Sequence, residues 1–117
     1  MKNLLKVALG AAMLLSISAH AHDELISSTP GDGTLLTASP SQIKLTFSGE
    51  VRLISVELLS DSGDTQALDF TMSRTAQAVK EIPVADDLSA GTYTVEWRAM
   101  SSDSHRISGA FSFEVKR

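Results

Sequence analysis

The chain has 117 residues, with 10 basic and 14 acidic side chains, three histidines and no cysteine. That length suits one small domain. The acidic balance argues against nucleic acid or an anionic membrane as partner, and the missing cysteines exclude disulfides, thiolate metal sites and thiol nucleophiles.

The first stretch reads as an export signal. Residues 1–6 are a short basic segment, residues 7–16 an apolar run, and Ala19-His20-Ala21 gives the small-x-small pattern of a cleavage site. The run falls short of the ~18 apolar residues of a spanning helix, so no membrane insertion is expected. Cleavage after Ala21 leaves residues 22–117 as the exported chain. Lys2 and Lys6 leave with the signal, and the mature balance is 8 − 14 = −6. A rival cut after Ala19 would begin the chain His20-Ala21-His22, which can bind Cu(II) or Ni(II) through its amine, amides and third-position imidazole. Ile17 is a poor residue three before that cut.

From His22 onward the pattern is of strands and turns. Residues 25–28 can form a short strand, closed by the turn Pro30-Gly31-Asp32-Gly33. After the break at Ser39-Pro40-Ser41, Ile43, Leu45 and Phe47 share one parity. Ser48-Gly49-Glu50 is expected to turn the chain, and the following strand to point Ile54, Val56 and Leu58 inward. Residues 67–72 and 78–84 are weaker strand candidates, the second ending or lying at an edge because of Pro83. The clearest alternation comes last. Tyr93, Val95, Trp97 and Ala99 form one apolar face, and Ile107, Phe111, Phe113 and Val115 another. About seven strands with regular turn signals predict an all-β, Greek-key sandwich or barrel.

Between the last two strands lies Ser101-Ser102-Asp103-Ser104-His105-Arg106. Asp103 and His105 are two apart, so in extended backbone they leave on the same side. His22, as a first residue, offers an α-amine and an imidazole, with ordinary pKa values of about 7.7–8.0 and 6.5. Adding Asp103 and His105 gives three nitrogens and one oxygen, a set that favours Cu(II). The loop pair also reads as a turn in which Asp103 caps amides, and His22 as a terminal residue without a role. Trp97 reads as core, Glu96 and Arg98 as surface, and Met100 as an exposed gap-filler. Asp23 and Glu24 are candidate acceptors for His105 or the amine.

The mature chain resembles the CopC family of periplasmic copper-binding proteins. The matching pieces are Ser28-Thr29-Pro30, Leu45-Thr46-Phe47-Ser48, residues 90–97, Met100-Ser101-Ser102-Asp103-Ser104-His105 and Ser108-Gly109-Ala110-Phe111-Ser112-Phe113-Glu114-Val115. The resemblance implies a cupredoxin-like or immunoglobulin-like β-barrel and a Cu(II) site at His22, Asp103 and His105. It also implies a role in copper tolerance or delivery, beside an inner-membrane partner of the CopD type. Two departures stand out. Ser104 replaces the glycine common in the family, which is expected to disfavour a positive-φ backbone there, and Arg106 replaces a proline beside the site. Of the four methionines, Met1 and Met13 leave with the signal. Met72 and Met100 cannot make the Met-rich Cu(I) loop of some members, so a Cu(II)-only protein is expected.

That reading makes the protein a monomeric copper carrier or buffer and not an enzyme. A histidine-brace oxidative enzyme is the first alternative, although aromatic residues are only 5% of the chain, few for a sugar-binding surface. A metal-free interaction sandwich is the second.

Overall fold

The computed structural model describes residues 23–117; the signal and His22 lie outside the described residues. Its strands are β1 (Leu25–Thr29), β2 (Thr34–Leu36), β3 (Gln42–Ser60), β4 (Thr65–Gln66), β5 (Gln77–Pro83), β6 (Gly91–Met100) and β7 (Arg106–Val115). The all-β expectation is met: seven strands make one curled sheet, as in a sandwich or barrel.

The fold is built on β3, which runs for 19 residues. Its first half pairs with β1 on one side and β5 on the other. Its second half pairs with β6 and β4, and β6 leads on to β7 and β2. One strand thus belongs to both layers, and the core lies between them.

The expected turn at Ser48-Gly49-Glu50 is therefore corrected. The strand continues through these residues, and the irregularity appears as a register shift against β5 between Thr46 and Val51. A second correction concerns parity. Ile43, Leu45, Phe47, Val51 and Leu53 are buried, but the next buried positions are Val56 and Leu58. The register against β6 shifts between Leu53 and Ser55, the mark of a β-bulge. One extra residue reverses the alternation, and Ile54 faces out at 36% exposure.

The β6–β7 hairpin follows its sequence pattern closely. Ten residues pair in unbroken register from Gly91↔Val115 to Met100↔Arg106. Tyr93, Val95, Trp97 and Ala99 are buried on β6, and Phe111, Phe113 and Val115 on β7. Ile107 is half-buried against this core.

Residues 67–72 form no strand. Leu68 makes an isolated bridge to Val84, and Phe70 packs against the core with the Lys80 amine 5.9 Å from its ring centroid. β5 does end at Pro83. The parallel pairing of β2 with β7 was not foreseen, because three residues carry no readable alternation.

At the start of β6 the Tyr93 hydroxyl donates to the Ser89 carbonyl at 2.6 Å, tying the strand to its own entry loop. Tyrosine corners of β-sandwiches use the same device. Tyr93→Phe keeps the buried ring and loses that bond. The expected cost is about 1 kcal/mol, read as a lower urea midpoint with unchanged slope.

Candidate functional site

The loop joining β6 to β7 is a tight turn made by serines. Ser104 N–H donates to the Ser101 carbonyl at 3.0 Å, and Ser101 N–H to the His105 carbonyl at 2.8 Å. Ser104 has φ of +67°, so the loop has a left-handed residue at its third position, the form typical of three-residue hairpin loops. The expectation that serine here would disfavour positive φ is corrected: the turn imposes that conformation without glycine.

The turn brings Asp103 and His105 together. His105 Nδ1 lies 2.9 Å from Asp103 Oδ2. Asp103 Oδ1 accepts from the hydroxyl of buried Ser101 and from the His105 N–H, the latter at 3.3 Å. The hydrogen bond from the Ser101 hydroxyl first, and that from the His105 ring next, hold the Asp103 carboxyl well below the usual carboxylate range. Both side chains remain open to solvent, with 62% of His105 and 37% of Asp103 exposed. Both are thus within reach of a solvated ion.

Their spacing suits a metal. Nitrogen and oxygen donors sit about 2.0–2.2 Å from first-row divalent ions. Two donors at right angles on such an ion are then roughly 2.8–3.1 Å apart. The observed 2.9 Å lies inside that range, and it is equally the length of the hydrogen bond between the His105 ring and Asp103, which an ion held by both would replace. Among the described residues no group of three or more histidine, aspartate or glutamate side chains could hold a metal ion.

The start of the described chain lies against the same loop. Asp23 Oδ2 accepts from the Ser102 N–H at 2.9 Å and from the Ser102 hydroxyl at 2.8 Å. Glu24 and Ser48 are joined twice: Ser48 N–H donates to the Glu24 carbonyl at 2.8 Å, and Glu24 N–H to Ser48 Oγ at 2.9 Å. Asp23, Glu24, Leu25, Trp97, His105 and Ile107 line one shallow depression, with Arg106 at its side.

Of the sequence candidates, Asp103 and His105 are therefore in contact, and His22 is outside the described residues. Asp23 is indeed an acceptor, but its recorded donor is Ser102. Ser101 and Ser102 were not singled out from the sequence. A serine-rich loop beside a carboxylate was the available signal, but serine is also ordinary turn composition. Trp97 is core at 5% exposure, and Glu96 and Arg98 are on the surface.

Comparison with known proteins agrees with this architecture. The family model described as CopC domain matches residues 25–116. The chain is 37% identical over 114 residues to copper resistance protein C of Pseudomonas syringae pv. tomato, covering 91% of this chain and 90% of that one. Among solved structures it is similar to PcoC, a methionine-rich copper resistance protein from Escherichia coli. That match has a TM-score of 0.66 and 34% identity, over 82% of this chain and 100% of that one. CopC from Methylosinus trichosporium OB3b superposes with a TM-score of 0.67 at 26% identity, over 81% and 94% of the two chains.

Proposed function

This chain belongs to the CopC family, and on that premise we propose that it is a Cu(II)-binding protein of copper resistance, acting in the periplasm as a carrier or buffer. The observation that carries the reading is the Asp103–His105 pair, its two donors 2.9 Å apart, on a loop hydrogen-bonded to the residue that follows His22. In this reading His22 supplies its α-amine and ring, His105 a third nitrogen and Asp103 a carboxylate oxygen. A carboxylate has about four lone-pair sites, so Asp103 can keep its bonds to the Ser101 hydroxyl and the His105 N–H through Oδ1, while Oδ2 exchanges its contact with the His105 ring for the ion. Nitrogen and oxygen donors in a tetragonal array favour Cu(II), and only Met72 and Met100 remain as sulfur donors once the signal is removed.

The role is binding, not catalysis. A chelating histidine, a second imidazole and a carboxylate fill the positions at which an oxygen-activating copper would need an opening. Delivery to an inner-membrane partner of the CopD type by a monomeric carrier completes the proposal.

The test uses exported protein whose mass confirms that it starts at His22, beside a version with one residue added before it. The native form is expected to give a single tetragonal Cu(II) paramagnetic resonance signal with nitrogen couplings, and the extended form a weaker or altered one. Identical spectra from the two forms, or no specific signal from either, would rule out the N-terminal site.

A further inference from the structure

Asp23 holds three parts of the fold together with one carboxylate. Oδ2 takes two hydrogen bonds from Ser102 in the β6–β7 loop, at 2.9 and 2.8 Å. Oδ1 lies over Gly49 in the middle of β3, where a Cβ at position 49 would overlap it. The backbone of Gly49 is not in the left-handed region, so a side chain there would conflict only with the Asp23 carboxylate, which would have to move aside. Glu24 is fixed on the same stretch of β3 by its double link to Ser48. The beginning of the described chain is thereby hydrogen-bonded to β3 at Ser48 and to the β6–β7 loop at Ser102, with the Asp23 carboxylate lying over Gly49.

From this geometry we propose that Asp23 is a positioning residue for metal binding: its carboxylate, lying over Gly49, locks the N-terminal segment to Ser102 and so steadies the loop that carries the Asp103–His105 pair. The inference rests on the copper site proposed above and adds a residue that is not itself a ligand. The physical reason is pre-organisation. Donors already held near the loop pair bind an ion with less ordering cost than donors on a loose end. Ser102 lies next to Asp103, so the same bond steadies both halves of the site.

Gly49 makes the idea testable without touching a ligand or removing the carboxylate. Gly49→Ala is permitted by the backbone and should push the Asp23 carboxylate off its seat. Asp23→Ala removes the lock outright, whereas Asp23→Asn keeps an oxygen that can accept from Ser102. Two quantities are measured: exchange of the Ser102 amide in metal-free protein, and Cu(II) affinity by competition against a chelator. Asp23→Ala and Gly49→Ala are each expected to speed Ser102 exchange and to lower Cu(II) affinity by about 10–100-fold, the range for loss of an outer-shell partner. The double variant should be no weaker than the worse single one, because both act on the same lock. Asp23→Asn should lie nearer wild type than Asp23→Ala. If exchange speeds up while affinity stays at the wild-type value, Asp23 is only structural and the proposal is overturned with the copper site intact. If wild-type protein binds no Cu(II), the copper site and this proposal fall together.

Discussion

Replacing His105 by alanine is expected to lower Cu(II) affinity by more than the ~10–100-fold that follows loss of an outer-shell partner, because it removes a donor itself. The loss should be visible as fewer nitrogen couplings in the resonance spectrum. His105 is 62% exposed and packs into no core, so the fold should survive, with a urea midpoint lowered only slightly by loss of its ring's hydrogen bond to Asp103. Asp103→Asn should also weaken binding, because the amide keeps the shape of the carboxylate but loses its charge. Retention of wild-type affinity in both variants would mean that the loop takes no part in holding the ion.

The same pair fixes how pH should act. Hydrogen bonds, the Ser101 hydroxyl's first, hold the Asp103 carboxyl well below its ordinary range, so it stays ionised between pH 7 and pH 5. Weakening of copper binding across that interval must come from nitrogen donors taking up protons. For the metal-free fold the sign is different. A carboxyl with a depressed folded-state pKa contributes stability that is present above its unfolded value of about 3.9 and is lost as pH falls below it. Wild type and Asp103→Asn should therefore differ in urea midpoint at pH 5, and the difference should shrink as pH is lowered toward 3 and beyond. A constant difference would mean that the carboxylate's charge contributes nothing to the folded loop.

What could be read in the sequence depended on how local its cause was. The β6–β7 hairpin was legible because its alternation, its unbroken register and its burial all arise from one repeating pattern. β3 was legible in pieces. Its two bends looked like a turn and a fresh strand, whereas one continuous strand shared by two layers absorbs them as register shifts. The outward position of Ile54 follows from a single extra residue, and no count of apolar positions reveals where a bulge falls. In the site, the two-residue spacing puts Asp103 and His105 on one side only for extended backbone; in the structure it is a tight turn through left-handed Ser104 that brings them together. The Asp23–Ser102 bond joins residues 79 apart, and the vacancy over Gly49 that admits it is a property of three-dimensional packing. Ser104 shows the limit of rules based on residue type. Its φ of +67° is set by the closing bonds of Ser101, which override serine's usual preference.

The largest expected effect on stability comes from Trp97, which ties the β6–β7 hairpin to the core. It is 5% exposed, and its ring meets that of Phe47 edge to face, with centroids 5.2 Å apart and planes at 77°. Phe47 is on the first half of β3 and Trp97 on β6, so this contact joins the two layers. Directly across the hairpin Trp97 pairs with Gly109, where a Cβ would come within 2.8 Å of the indole. The ring thus occupies the space that a side chain at 109 would need. Trp97→Ala should cost about 3–5 kcal/mol, a large share of the 5–15 kcal/mol typical of a domain. Gly109→Ala should cost about 1–3 kcal/mol through overpacking. Combining them separates this contact from two unrelated losses, because the new methyl can enter the space the indole leaves. The double variant should therefore be more stable than the sum of the single changes predicts, by about 0.5–3 kcal/mol in urea unfolding. Strict additivity would show that the indole and position 109 do not compete for the same volume. Since Trp97 also lines the depression beside His105, the double variant should bind Cu(II) less tightly than wild type even where it remains folded.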